Sequence, residues 1–446
     1  MSDPPCAMPA LAHTLQIVPS DAWRPADLPA EEDFLRCIHC GLCLNQCPTY
    51  RLWGREADSP RGRIRQMMLV AQHEIPLDQG FVSHIDRCLD CRACETACPS
   101  GVEYGRLVES ARAEIEANYR RPLTSRLLRR AVMRYLLPYP NRIALMARAV
   151  RFYQRSGAQG LARRSGALRL MGLQDRERLL PRIDSDFFFS RLGMTFPAIG
   201  QHRARVALFA GCIAQVAFTR LNDATIRVLQ ANGCEVVVPD HQLCCGALAA
   251  HAGQRDVARA LARINLEAFG RESFDALIMN AAGCGSSLKE YSRLFRPDEP
   301  EHLMAQAFES RVKDVTEFLD ALGLSAPLGE IPFRITWQDS CHLLHGQRIR
   351  EAPRRLLRQI PGIELVEMPG ADQCCGSAGI YNVLQPQASL DLLSEKMAAA
   401  RSTGAACIAT ANPGCLLQLR AGAAIHHTGQ EALHVVELLD RAIACS

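Results

Sequence analysis

Val206-Ala207-Leu208-Phe209-Ala210-Gly211-Cys212, Leu243-Cys244-Cys245-Gly246 and Leu277-Ile278-Met279-Asn280-Ala281-Ala282-Gly283-Cys284 recur further along the chain as Ile335-Thr336-Trp337-Gln338-Asp339-Ser340-Cys341, Gln373-Cys374-Cys375-Gly376 and Ile408-Ala409-Thr410-Ala411-Asn412-Pro413-Gly414-Cys415. Corresponding cysteines lie 129, 130 and 131 residues apart, so the register hardly drifts over the whole unit and the repeat decides the fold. Within each copy, short β-rich runs (206–210, 235–238 and 276–279, then 334–337, 364–366 and 407–410) alternate with helical stretches such as 256–269 and 388–400. Strand and helix in alternation predict a parallel α/β unit. Cys212, Cys284, Cys341 and Cys415 each follow a strand run, where open α/β sheets place their sites. The expectation is two pseudo-symmetric α/β domains, 205–325 and 331–446, facing each other across their cysteines.

Upstream, Cys37-Ile38-His39-Cys40-Gly41-Leu42-Cys43-Leu44-Asn45-Gln46-Cys47-Pro48 recurs as Cys88-Leu89-Asp90-Cys91-Arg92-Ala93-Cys94-Glu95-Thr96-Ala97-Cys98-Pro99. Both read C-x2-C-x2-C-x3-C-P, the bacterial ferredoxin run in which three close thiolates hold one cubane and the fourth crosses to the other. Two copies predict two [4Fe–4S] clusters, one on Cys37, Cys40, Cys43 and Cys98, the second on Cys88, Cys91, Cys94 and Cys47. Zinc is the competing reading, but three thiols at this spacing crowd a simple tetrahedron. Helix-compatible apolar spacing over 61–72 and 107–119 makes 31–119 an all-helical two-cluster domain, and the proline-rich 1–30, with its isolated Cys6, an extended arm.

In the repeats, each copy offers four thiols from three separated places: Cys212, Cys244, Cys245 and Cys284, then Cys341, Cys374, Cys375 and Cys415. Adjacent cysteines are poor partners for a mutual disulfide, yet both reach a polynuclear cluster, so each copy is a candidate site for a further Fe–S cluster. Two matched sets of four argue against cysteines kept for packing alone. Cys234 and Cys407 have no counterpart in the other copy and Cys445 is terminal, so these three read as packing residues. His342 and His345 follow Cys341 and are candidates to ligate iron, hydrogen-bond a sulfide or protonate a quinone. His241 and His251 flank the first Cys-Cys-Gly and are weaker candidates.

Composition bounds the rest of the reading. With 446 residues, 48% hydrophobic and 22% charged, the chain has material for several cores. A net charge of +4 and 6% aromatic residues argue against nucleic acid. Twenty cysteines without a signal-peptide pattern or a membrane-length apolar run point to a cytosolic protein, where clustered thiols are metal ligands or redox groups. Segment 120–204, expected to be a helical linker, is the exception: 19 arginines fall between 120 and 205, with no lysine and four acidic residues. It reads as a solvated linker or as a docking face for an acidic subunit or anionic lipid, with Arg126, Arg129 and Arg130 as the charges to reverse. No G-x-G-x-x-G opening a strand–helix unit, P-loop or G-x-S-x-G occurs, so the sequence shows no flavin, nucleotide or hydrolase site.

The Cys…Cys-Cys-Gly…Cys repeats behind a twin ferredoxin module resemble the cysteine-rich (CCG) proteins related to heterodisulfide reductase. Within that group the run from Cys37 to Tyr50, Ser59-Pro60-Arg61-Gly62-Arg63-Ile64, the run from Asp86 to Gly101, the stretch from Ala281 to Tyr291 and that from Gln373 to Tyr381 are similar to the iron–sulfur subunit of bacterial glycolate oxidase over roughly residues 30–440. The resemblance implies flavin subunits (FAD on the partner only) that oxidise glycolate, and a chain carrying electrons toward the quinone pool, peripheral at the cytoplasmic face of the inner membrane. Equivalent subunits for D-lactate or glycerol 3-phosphate, or a heterodisulfide-reductase-like catalytic subunit, are the alternatives. One departure bears on the last: the five-cysteine form ends each repeat in C-x-x-C, whereas Ala281 and Asn412 stand at the first position of that pair here.

Overall fold

The computed structural model describes residues 29–446, so the expected arm, but for its last two residues, and Cys6 lie outside the described residues. The first repeat builds a five-stranded sheet from β1 (Thr195–Phe196), β2 (Ala204–Leu208), β3 (Cys234–Val237), β4 (Ala276–Met279) and β5 (Val312–Asp314). The second builds a four-stranded sheet from β6 (Arg334–Trp337), β7 (Glu364–Glu367), β8 (Cys407–Thr410) and β9 (Glu431–His434). The orders are β1-β3-β2-β4-β5 and β7-β6-β8-β9. Without β1 the two sheets have the same order, and every pairing is parallel except β1 with β3.

Strands β4, β6 and β8 coincide with the expected runs, whereas β2 starts and stops two residues earlier than 206–210. Phe209 N–H still donates to Ile278 O of β4 at 3.1 Å, and the ladder ends at Ala210, whose N–H is taken by Gln242 Oε1 at 2.7 Å. The chain thereby turns off the sheet toward Cys212. β1 falls inside the segment read as helical linker, and β5 and β9 were not expected; at two to four residues each they carry no usable periodicity.

Alternation along β2 puts Val206 and Leu208 in one core and Ala207 and Phe209 in another, as a sheet covered on both faces requires. The first core also holds Ile335, Trp337 and Ile408, so the two repeats share it. Helices close the join symmetrically: Thr219–Ala231 packs on Val435–Ala444, and Val315–Leu322 on Glu351–Arg358. The first and last helices of one copy thus meet the last and first of the other, the pattern of a two-fold interface. Capping boxes at Asp314 with Glu317 and at His434 with Glu437 start the two equivalent helices.

Residues 29–118 form helices Glu31–Leu35, Pro48–Trp53, Pro60–Ala71, Gln79–Asp86, Ala93–Thr96 and Tyr104–Asn118, with the cysteine runs largely in the turns between them. Phe34, Ile64, Met67, Phe81, Ile85, Leu107 and Ile115 make their core. Beyond it, helix Pro140–Arg155 lays Ile143 and Ala147 on the first repeat's core. Arg129 departs from the expected solvated face: it is largely buried, paired with Glu116 at 3.0 Å and donating to Ala252 O at 3.2 Å.

Candidate functional site

The first ferredoxin run is the more open of the two. Cys40 is exposed and Cys37 and Cys43 half-buried, whereas Cys88, Cys91, Cys94 and Cys47 are buried. Cys98, from the second run, neighbours Cys37, and Cys47, from the first, neighbours Cys91 and Cys94 as well as Cys43 of its own run. Ser59-Pro60-Arg61-Gly62-Arg63 supports them. Ser59 caps helix Pro60–Ala71 by accepting from Gly62 N–H, with proline in the first turn. Arg61 then donates to His39 O at 2.9 Å and buried Arg63 donates to Thr49 Oγ1 at 3.0 Å, beside Cys47 Sγ.

In each repeat the four thiols neighbour one another in series: Cys212 beside Cys244, Cys244 beside Cys245 and Cys245 beside Cys284, then Cys341 beside Cys374, Cys374 beside Cys375 and Cys375 beside Cys415. Both Cys-Cys pairs end in a glycine whose φ, +81° at Gly246 and +85° at Gly376, L side chains rarely adopt. A Cβ would meet Ala258 Cα at 3.3 Å in the first and Ser389 O at 2.6 Å in the second. Glycine therefore lets the following helix close over the paired thiols. All eight repeat cysteines line one cavity of about 500 Å³, together with Cys88, Asp90, His251, His342 and Tyr381. Asn412, at the position of the missing fifth cysteine, donates to Cys415 Sγ at 3.5 Å and accepts from Gly283 N–H at 3.3 Å, tying the two sets together.

The donor chemistry fits iron. Burial pushes the thiols of Cys91 and Cys94 well above their ordinary value. At Cys375 the hydrogen bond with Cys374 raises it most, Cys415 opposes, and burial helps bring it up to about 12. Such thiols stay protonated until a metal displaces the protons, so the sets suit ligands whose loading releases protons. Cys234 and Cys407 lie in β3 and β8, buried and away from the cavity lining, and Cys445 is exposed.

The ferredoxin sets and the repeats meet directly. Leu89, Cys91 and Ala93 share an apolar cluster with Cys341, Cys374, Tyr381 and Leu392. His345 spans the same join, its Nδ1 2.9 Å from Thr96 Oγ1 and its Nε2 3.1 Å from Asp372 O, so both ring nitrogens are engaged and it positions rather than ligates. His342 stays a candidate: burial, then the charges of His251 and Arg92, push it down to about 3, and its Nδ1 lies 3.4 Å from Cys341 Sγ. A neutral ring there offers one N–H to sulfur.

Sequence reading missed a buried ion network at this junction. Asp90, between Cys88 and Cys91, lies 3.1 Å from His251 Nδ1, which also meets Glu109 at 2.8 Å. Burial pushes His251 down, but the two carboxylates outweigh it and lift it to about 9. Burial pushes Asp90 up, and His251, Arg92 and Arg112 hold it below the usual carboxylate range. Asp90 and Arg92 inside a cysteine run and His251 after the first Cys-Cys-Gly were separate signals; what joins them is contact, because Glu109, Arg112 and His251 are distant from Asp90 in sequence. His241 pairs with neighbouring Asp240 at 3.1 Å and does not line the cavity.

Comparison with known proteins agrees with this arrangement. Residues 33–102 match the 4Fe-4S dicluster domain, 206–289 and 335–420 the cysteine-rich domain, and 124–180 the linker region of the glycolate oxidase iron-sulfur subunit. The "Probable glycolate oxidase iron-sulfur subunit" of Bacillus subtilis is 41% identical over 92% of this chain and 94% of its own. The glycolate oxidase iron-sulfur subunit of Escherichia coli is 30% identical over 93% and 96%. Lactate utilization protein A of a Geobacillus species is 30% identical over 53% of this chain and 99% of its own. The twin dicluster runs, the paired cysteine-rich domains and these full-length likenesses together make the chain a member of the glycolate oxidase iron–sulfur subunit family.

Proposed function

We propose that the chain carries electrons from a flavin-containing partner subunit, which oxidises glycolate to glyoxylate, toward the membrane quinone pool, acting as a peripheral protein at the cytoplasmic face of the inner membrane. The oxidation releases two electrons and two protons, and no flavin-binding fingerprint occurs in this sequence. The observation that carries the reading is the continuity of the thiol sets, from exposed Cys40, through buried Cys91 against Cys374, to the eight cysteines of the shared cavity.

In this reading Cys37, Cys40, Cys43 and Cys98 hold one [4Fe–4S] cluster, Cys88, Cys91, Cys94 and Cys47 a second, and each repeat set a further one. Clusters supply one-electron carriers when bound, splitting the flavin's electron pair. The chain's own part is to space and shield them. Exposed Ile38 and Leu42 beside Cys40 offer the partner an apolar contact where the thiols are nearest the surface. Asn412 and His342 supply N–H groups near the repeat sulfurs, and Thr96, His345 and Asp372 lock the two units in register. A lactate donor is the second reading, favoured by the likeness to lactate utilization protein A over half the chain.

The test is anaerobic stopped-flow on the complex copurified with its flavin subunits. Glycolate, rather than D-lactate, should bleach the flavin and then the iron–sulfur absorbance. In Cys91→Ser the flavin should still bleach while quinone reduction stops. Quinone reduction persisting in that variant, or bleaching by lactate alone, overturns the proposal.

A further inference from the structure

From Ala117 to Gln174 the chain contains no aspartate or glutamate, yet carries 13 arginines. A solvated helix face normally mixes both signs. Arg121, Arg129, Arg134 and Arg163 reach acidic partners elsewhere in the fold, whereas Arg126, Arg130, Arg148 and Arg155 stand exposed among large apolar side chains turned outward. Apart from Arg129, helix Leu123–Arg130 is open, and it exposes Leu123, Leu127 and Leu128 among Arg126 and Arg130. Helix Pro140–Arg155 turns Ile143, Ala144 and Ala147 inward. Leu145 and Phe152, seven residues apart and so on one face, point the other way, 66% and 73% exposed, with Arg148 and Arg155 exposed beside them. The next two helices, Ala158–Arg164 and Ala167–Leu170, add Leu161 at 70% and Leu170 at 91%.

We infer that this surface, 123–170, seats the protein on an anionic phospholipid bilayer. Leucine and phenylalanine enter the acyl boundary while arginine stems lie along it and hold their guanidinium groups at the phosphates, the composition of an interfacial helix. Charge complementarity selects the anionic surface. The apolar side chains are spread over four short helices, whereas a protein partner is gripped by anchors converging on a packed pocket; a bilayer needs no such convergence. No helix among the described residues is long and apolar enough to cross a membrane, which fits lying on one. The inference deepens the peripheral placement proposed above and rests on that reading only for which membrane it is.

The test uses the full chain, purified anaerobically with its iron, sedimented with vesicles of phosphatidylcholine alone or mixed with phosphatidylglycerol. Wild type should sediment with the mixed vesicles and release at high salt. Leu145→Ser/Phe152→Ser should weaken that binding by about tenfold or more, and Arg126→Gln/Arg130→Gln similarly, with iron content unchanged. Leu303→Ser, an exposed leucine outside the surface, should bind as wild type. Equal binding to both vesicles, no binding, or serine variants that bind like wild type overturn the inference. So does retention by the flavin subunits alone through these same residues, which would assign the surface to a protein. Vesicle binding needs no donor, so loss of the electron-transfer reading would leave this result standing.

Discussion

Replacing Arg354 by methionine should cost far more than the same change at Arg355, its immediate neighbour. Arg354 and Asp339 are each about 4% or less exposed, and the guanidinium meets both carboxylate oxygens at 2.8 Å. The same guanidinium grips Glu367 at 2.8 and 3.0 Å, and Trp337 Nε1–H donates to Asp339 at 2.7 Å. Asp339 stands two residues before Cys341, so the pair anchors the turn that delivers the first thiol of the second repeat. Arg354→Met leaves a charged carboxylate buried without its partner, a loss of about 3–5 kcal/mol. Arg355 pairs with Asp320 but is 54% exposed, and Arg355→Met should cost under about 1 kcal/mol. Urea denaturation of the iron-loaded protein, with iron counted after gel filtration, reads both. Arg354→Met should unfold earlier and retain less iron, while Arg354→Met/Asp339→Leu should recover part of the loss. Equal costs for the two arginines, or no recovery in the double variant, would refute the reasoning.

Three shorter expectations follow from the same geometry. His251 is raised from 6.5 to about 9 by Asp90 and Glu109, with Arg92, Arg112 and neutral His342 facing the same network. Its contribution to stability is therefore complete below pH 6.5 and lost as pH climbs through about 9, and denaturation of His251→Gln should lack this decline between those values. Gly376→Ala, with its Cβ 2.6 Å from Ser389 O and φ of +85°, should destabilise by more than about 1–2 kcal/mol and shed iron, whereas Gly54→Ala, in open space, should cost about 1 kcal/mol and keep it. Ile38→Asp/Leu42→Asp should slow reduction by the flavin subunits by roughly tenfold with iron content and cluster spectra unchanged.

The repeat was legible because its cysteines keep register to within two residues over about 130, and the strands leading to them are continuous apolar runs. The same order of β2, β3, β4, β5 and β6, β7, β8, β9 is the structural counterpart of those offsets. What escaped was set by contacts distant in sequence. β1 exists because Thr195 and Phe196 find Val237 and Val236, and two residues announce nothing on their own. His345 looked like a candidate ligand until Thr96 and Asp372 were seen to occupy both ring nitrogens. Arg129 looked like a surface charge until Glu116 and Ala252 enclosed it. Burial, more than residue type, separates such positioning groups from ligands.

Iron and acid-labile sulfide per chain, measured on anaerobically purified wild type and on Cys244→Ser/Cys374→Ser, test the central claim most directly. The account predicts more than about eight irons in wild type, falling toward about eight in the variant, because the ferredoxin sets hold two cubanes and the repeats the remainder. About eight in both would contradict it, leaving the paired cysteine-rich domains as scaffold rather than as the far end of the electron path.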